Sequence, residues 1–106
     1  ATAESCTGGL LGHTLTNIPG SSTWYAGGVI TYANEMKISL LGVDPLVIEK
    51  YGAVSENCVL QMVSGVCKLT SAQVGVAISG IAGPGGGTKD KPVGTVFMAW
   101  QIKNRN

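Results

Sequence analysis

The feature that most constrains the fold is a short run that is apolar on both sides, residues 74–78 (VGVAI). A strand with apolar side chains on both faces is typical of a sheet covered by helices. A second apolar run, residues 93–102, predicts another strand, which could also be central. Helical patterns alternate with these strands across short connections. The sequence therefore predicts an α/β fold, a layered sheet with helices on its faces.

The first half of the chain continues this alternation. Residues 1–4 predict the end of a strand, and a glycine-containing turn then leads into a helix near residues 10–15. Residues 29–33 are short and β-branched, which favours a strand. Asn34 is a good N-cap for a helix that ends at Gly42.

Two more helices are predicted before the apolar strand. Asp44 precedes a proline at the first helical position, and this helix ends before Gly52. Ser55 caps a longer helix whose apolar residues recur at the spacing of one buried face. Gly65 within that helix indicates a close approach to a neighbouring element.

Composition limits the size and the partners of the protein. A chain of 106 residues predicts a single domain over residues 1–106, and it opens without Met on what reads as a strand remnant. Charged residues make up only 12%, about half the usual share, which favours a well-buried sheet, a subunit interface, or both. We therefore expect a homo-oligomer. The net charge of +1 gives no argument for nucleic acid or a membrane surface as partner.

Cysteine and histidine usage excludes several kinds of site. Three cysteines without CxxC spacing argue against a disulfide framework and favour reduced thiols in a cytoplasmic protein. A single histidine, His13, argues against zinc and against a Ser-His-Asp triad. No apolar run is long enough for a membrane span. We predict no metal and no cofactor.

One stretch, residues 20–37, brings a serine, a tyrosine and a lysine close in sequence. Ser22 lies in a loop, Tyr32 ends a predicted strand, and Lys37 falls in the first turn of the following helix. A Ser-Lys pair is a recognised variant of the catalytic triad, provided that the lysine is neutral. Its pKa, ordinarily roughly 10.4, would fall through burial and the positive end of the helix dipole. From the pattern alone, however, a solvated surface lysine is the commoner outcome.

Two glycine-rich segments are candidate ligand loops. Ser5, Thr7 and Gly8 form a turn before the first helix, where an anion could meet free amide groups. The alternative is an ordinary strand-to-helix turn with Ser5 or Thr7 as the cap, which spacing alone favours. The second segment, residues 79–88, follows the apolar strand, and its glycine density favours a ligand-binding role over a flexible connection.

Several motifs together resemble, in order, the CinA C-terminal domain and the stand-alone bacterial nicotinamide-nucleotide amidases. The resemblance covers almost the whole chain. It is carried by residues 3–9 (AESCTGG), 19–22 (PGSS), 27–37 (GGVITYANEMK), 41–43 (LGV), 52–56 (GAVSE), 79–88 (SGIAGPGGGT) and 91–96 (KPVGTV).

The resemblance implies both an architecture and an activity. It implies a three-layer α/β/α sandwich with a small mixed sheet, and an enzyme that hydrolyses nicotinamide mononucleotide to nicotinate mononucleotide and ammonia in NAD recycling. The nucleophile would be Ser22, assisted by Tyr32 and Lys37, with Ser5 as the rival nucleophile. Ser5, Thr7, Gly8, Ser79 and Gly80 would line the substrate pocket.

The match is incomplete at both ends relative to the family. Family members carry a helix and strand before the first motif, and a strand and long helix with a phosphate-binding arginine after the last. Arg105, the single arginine, lies in no matching motif, so the role is not transferred to it. A non-catalytic nucleotide-binding or interaction module is therefore the alternative to the amidase, and hydrolysis of another small amide is a third possibility.

Overall fold

The structure, a computed structural model, describes residues 1–103; Arg105 lies outside the described residues. The described residues form four strands, four α-helices and a short 3₁₀ turn, Ser21–Thr23. The strands are β1 (Thr2–Glu4), β2 (Gly28–Ile30), β3 (Val74–Gly80) and β4 (Val96–Ile102). The helices are α1 (Leu10–Thr16), α2 (Asn34–Leu41), α3 (Pro45–Tyr51) and α4 (Glu56–Thr70).

The strands form one mixed sheet in the order β2-β1-β3-β4. β1 is parallel to both of its neighbours, and β4 runs antiparallel along β3. β3, the apolar run that favours a covered sheet, is indeed internal. β4 is an edge strand in this sheet, so the prediction that it could be central is wrong.

A row of small residues crosses the face of the sheet that carries α4. Ala3 pairs with Ala77, and Ala77 pairs with Ala99, all of them buried. Because alanine side chains are short, α4 can approach this face closely and fill the space with Val59, Met62, Val63 and Val66. The buried face predicted for this helix is confirmed.

The opposite face is only partly covered. Glu4, which alternates with Ala3 along β1, points to the side where α1 lies and accepts hydrogen bonds from the amides of Leu11 and Gly12. Helices on both faces confirm the predicted layered α/β class. Over β4 this face remains open: the side chains of Met98 and Trp100 are 55% and 71% exposed.

Helix boundaries mostly agree with their sequence signals. Asp44 accepts from the Leu46 amide at 2.9 Å and Ser55 from the Cys58 amide at 3.2 Å, so both predicted caps are confirmed. The cap predicted at Asn34 is wrong, because Ala33 occupies the cap position without a side-chain hydrogen bond. Gly42 ends α2 in the left-handed conformation (φ 70°), as predicted.

Two strands are shorter than their apolar runs. β2 ends at Ile30, so Tyr32 lies two residues beyond the strand. β4 begins at Val96, because the preceding residues belong to a loop whose base is closed by hydrogen bonds from Ile81 N to Thr95 O and from Gly94 N to Ile81 O. Within residues 1–103 no helix is long and apolar enough to cross a membrane.

Gly65 lies where α4 meets the end of α2. A Cβ atom at this position would overlap the backbone carbonyl of Leu41. We therefore expect Gly65→Ala to destabilise the fold by about 1–3 kcal/mol through overpacking, although alanine is the better helix former. Urea denaturation measures this change, with Ser64→Ala on the same helix as the matched control. Equal or greater stability of Gly65→Ala would contradict the close contact.

Candidate active site

The centre of the candidate site is the buried amine of Lys37. Its side chain is 1% exposed, and its Nζ donates to Ser5 Oγ at 2.9 Å, to the carbonyl of Thr31 at 2.7 Å and to the carbonyl of Tyr32 at 3.0 Å. The outcome that the sequence pattern alone favours, a solvated surface lysine, is thus wrong for Lys37. The first turn of α2 carries the amine back to the carboxyl ends of β1 and β2, where the three acceptors meet.

The chemistry of these three contacts is unequal. Carbonyl oxygens only accept, so the contacts to Thr31 and Tyr32 each require an N–H of Lys37. The third tetrahedral position, towards Ser5, holds a proton when the amine is charged and a lone pair when it is neutral. In the neutral state the Ser5 hydroxyl can donate to that lone pair, so Ser5 and Lys37 can exchange one proton across 2.9 Å.

The surroundings favour the neutral amine. Burial lowers the pKa of the Lys37 ammonium from its usual 10.5, since desolvation penalises the charged form. Charge on the neighbouring thiols of Cys58 and Cys6 acts in the opposite direction on this pKa. Burial in turn raises the pKa of the Cys58 thiol, which opposes formation of the thiolate. The pKa of Lys37 is therefore lower than that of an ordinary lysine, so its neutral amine, which can act as a base, forms at a lower pH.

Ser5 is held by the sheet. It is 6% exposed, and its amide donates to the carbonyl of Ile78 at 3.0 Å, which continues the pairing of β1 with β3. Immediately beyond it the chain turns through Gly8, whose φ of 60° favours glycine. The Gly8 amide donates to the Ser5 carbonyl at 3.1 Å, so the turn is anchored on the serine residue itself.

The turn before α1 already contains an anion. The buried carboxylate of Glu4 accepts from Thr7 Oγ1 at 2.8 Å and from the amides of Leu11 and Gly12 at 2.8 and 2.9 Å. The expectation that these helical amides bind a substrate anion is therefore wrong for Leu11 and Gly12. The predicted cap at Ser5 or Thr7 is also wrong, because Gly9 occupies the cap position without a side-chain bond.

Ser79 and Gly80 end the neighbouring strand β3. Ser79 is 1% exposed, and a Cβ at Gly80 would lie 2.9 Å from the carbonyl oxygen of Thr95 and 3.0 Å from the sulfur of Cys6, the residue after Ser5. Because no side chain fits there, Gly80 lets the two strand ends approach each other. The structure thus brings together Ser5, Lys37 and the end of β3, as expected at the carboxyl edge of a parallel sheet.

Ser22 is not part of this cluster. It is exposed in the 3₁₀ turn, whose following residues pack towards the start of β1: the Tyr25 hydroxyl lies 2.7 Å from Thr2 Oγ1. Ser5, at the end of β1, occupies the place beside Lys37 that the sequence assigned to Ser22. The predicted Ser22–Lys37 contact is therefore replaced by a Ser5–Lys37 contact.

Tyr32 contributes its backbone rather than its ring to the lysine. Its carbonyl accepts from Lys37, whereas its side chain is 72% exposed beside the strand ends. Among the residues that sequence reasoning missed, Thr31 is fully buried and its hydroxyl has no hydrogen-bond partner within residues 1–103. The sequence places Thr31 directly before Tyr32, but this position indicates a role at the site only once Lys37 is known to be buried.

Metal chemistry has no evident site in the part of the chain that the structure describes. No group of three His, Cys, Asp or Glu side chains in residues 1–103 is arranged to hold an ion. The three cysteines are free thiols, with Cys58 and Cys67 buried and Cys6 partly exposed.

The lowered pKa of Lys37 has a consequence for stability. Between the folded-state pKa and 10.5, the unfolded chain binds more protons than the folded one, so stability increases with pH by up to about 1.4 kcal/mol per unit. Lys37→Met lacks this contribution. We expect the difference in unfolding free energy between parent and variant to increase with pH on approach to 10.5.

Urea denaturation as a function of pH measures that difference, and Lys68→Met, which removes an exposed lysine, is the matched control. The carbonyls left without a donor in Lys37→Met add an offset that does not depend on pH. A parent-minus-variant difference that is constant with pH would contradict a depressed pKa.

Comparison with known proteins shows the family to which the chain belongs. The family model described as "CinA C-terminal domain" matches residues 1–106. A CinA-like protein of Thermotoga neapolitana is 59% identical over 98 residues, and one of Mycobacterium avium is 58% identical over 102 residues. These matches cover 92% and 96% of the chain but 24% of each relative, so the chain spans about a quarter of their length.

Solved structures share the fold throughout the chain. The competence/damage inducible protein CihA from Agrobacterium tumefaciens superposes with a TM-score of 0.96 at 48% identity, covering 99% of this chain and 64% of that one. A competence-damaged protein (CinA) superfamily protein from Enterobacter cloacae superposes with a TM-score of 0.92 at 38% identity, covering 98% and 62%.

Proposed function

Because the chain belongs to the CinA C-terminal domain family, we propose that it is an amidohydrolase that converts nicotinamide mononucleotide to nicotinate mononucleotide and ammonia. The observation that carries the proposal is the hydrogen bond between the buried Lys37 amine and the Ser5 hydroxyl. The names of the relatives specify family membership rather than a reaction. The substrate is taken from the resemblance to nicotinamide-nucleotide amidases.

Amide hydrolysis requires a nucleophile, a base and a proton donor for the leaving nitrogen. In the proposed reaction, Ser5 Oγ forms a bond to the carboxamide carbon while its proton moves to neutral Lys37. The Lys37 ammonium then returns the proton to the nitrogen, the C–N bond breaks, and ammonia leaves. Water hydrolyses the resulting ester by the same proton exchange, which releases the carboxylate and restores Ser5.

The remaining predicted site residues receive supporting roles in this proposal. Gly8 gives the turn after Ser5 its left-handed conformation, and Thr7 holds that turn through Glu4. Ser79 and Gly80 form the adjoining wall, where amide groups of the glycine-rich segment would stabilise the oxyanion. The exposed ring of Tyr32 is available to stack on the nicotinamide ring.

The choice between Ser5 and Ser22 is the sharpest test. Ammonia release from nicotinamide mononucleotide by the intact protein is expected to fall at least about 10³-fold in Ser5→Ala and about 10²–10⁴-fold in Lys37→Met, which loses its general base. Ser22→Ala is expected to stay within about twofold of the parent. Ser39→Ala, exposed on α2, is the control for a remote serine.

If Ser22→Ala loses as much activity as Ser5→Ala, the proposal that Ser5 attacks the substrate without a contribution from Ser22 is wrong. Ser22, the nucleophile predicted from the family motif, would then act on the substrate in a state that brings it to the Lys37 site. Trapping the covalent acyl-enzyme and locating it by peptide mass spectrometry identifies the attacking serine directly.

Two variants of Tyr32 distinguish the role of its ring from the role of its hydroxyl. We expect Tyr32→Ala to raise KM by about 3- to 10-fold, because an aromatic contact is worth about 0.5–1.5 kcal/mol. Tyr32→Phe, which keeps the ring, should preserve KM and kcat. Steady-state kinetics on both variants provides the measurement. A loss of kcat in Tyr32→Phe as large as in Tyr32→Ala would instead assign proton holding or relay to the hydroxyl.

The second candidate is a nucleotide-binding or interaction module without turnover. Calorimetric binding of nicotinamide mononucleotide without ammonia release would support it, whereas turnover would exclude it. Comparing kcat/KM over a panel of small amides tests the third possibility, another amide substrate. A cytoplasmic location and a homo-oligomeric assembly stay predictions, as do the absence of nucleic-acid and membrane partners.

A further inference from the structure

The glycine-rich loop of residues 81–95 makes a side-chain contact with another element in addition to the hydrogen bonds at its base. Lys91 Nζ donates to the carbonyl of Tyr51 at 2.5 Å, at the carboxyl end of α3. The helix dipole favours a cation at that end. The next residue, Gly52, has a φ of 81°, which favours glycine, and a Cβ there would be in van der Waals contact with Nζ at 3.4 Å.

The backbone on the N-terminal side of Lys91 forms a hydrogen-bonded turn. The Thr88 amide donates to the Lys91 carbonyl at 2.8 Å, and the Lys91 amide donates to Thr88 Oγ1 at 3.0 Å. These two bonds close a tight turn within the loop. The amine therefore extends from an ordered turn rather than from a free segment of chain.

Both ends of this connection lead to the candidate site. The loop begins directly after Gly80, which lies against the sulfur of Cys6, next to Ser5. On the other side, the Gly52 carbonyl accepts from Ser55 Oγ at 2.8 Å, and Ser55 caps α4 at Cys58. The thiol of Cys58 is close enough to Lys37 for each to affect the other's pKa.

We infer that Lys91 is a positioning residue: its amine fixes the glycine-rich loop to the junction of α3 and α4 and so holds one wall of the Ser5–Lys37 site. The bond spans 40 residues of sequence, and it ties the loop, in which Gly83, Gly85, Gly86 and Gly87 are clustered, to a helix end. Its effect on loop order follows from the contacts alone. Its effect on catalysis rests on the proposed function.

Hydrogen exchange in the intact protein tests the structural half. Lys91→Met removes the donor and keeps an unbranched side chain, so the amides of Thr88 and Gly94 should exchange about 3- to 10-fold faster, as expected for loss of one hydrogen bond. Lys91→Arg, which keeps a cationic donor, should restore most of the protection. Lys89→Met removes an exposed lysine of the same loop and should leave these exchange rates unchanged.

Three results would overturn the inference: unchanged exchange in Lys91→Met, equal acceleration in Lys89→Met, or equal acceleration of α4 core amides, which would indicate global destabilisation. Kinetics on nicotinamide mononucleotide tests the catalytic half. In Lys91→Met, KM should rise about 3- to 10-fold with kcat changed less, and Lys91→Arg should recover it. If the parent shows no turnover, the proposed function fails. The exchange experiment still tests whether the Lys91–Tyr51 hydrogen bond orders the loop.

Discussion

The Ser5–Lys37 site depends on one buried amine with three hydrogen-bond partners. Taking the Lys37 amine out of water is costly, and the carbonyls of Thr31 and Tyr32 offset that cost only because β2 ends at Ile30 and the chain then turns. These carbonyls also determine how the nitrogen is oriented, since they hold two of its hydrogens in either charge state. The remaining position is directed at Ser5. Burial depresses the pKa of the Lys37 amine, and the two carbonyls orient its lone pair towards Ser5.

The second constraint is the occupied start of α1. Strand-to-helix turns in open α/β sheets commonly present free amides to a ligand. Here the carboxylate of Glu4 takes the amides of Leu11 and Gly12, and it also holds Thr7. The turn thereby becomes a rigid support for Ser5. The amides of Leu11 and Gly12 are therefore not free to bind another anion.

Much of the fold follows from local signals. The caps at Asp44 and Ser55, the left-handed Gly42 and the buried face of α4 each depend on residues close in sequence, and each is found. The site was less predictable. Lys37 and the end of β3 were foreseen, but the pairing of Lys37 with Ser5 joins residues 32 positions apart and requires the sheet order to be known. Nothing near Glu4 in the sequence indicates that its side chain caps a helix starting six residues later.

The pairing of β1 with β3 also determines when the site can exist. Thr2 of β1 pairs with Val76 of β3, 74 residues later, and the amide of Ser5 donates to the carbonyl of Ile78. Closing loops of this length carries an entropic cost and makes folding slow compared with local helix formation. During synthesis, Ser5 and Lys37 emerge well before β3, the strand that fixes Ser5 in place. A nascent chain that ends before β3 therefore contains both residues, but Ser5 is not yet held beside Lys37 by the completed sheet.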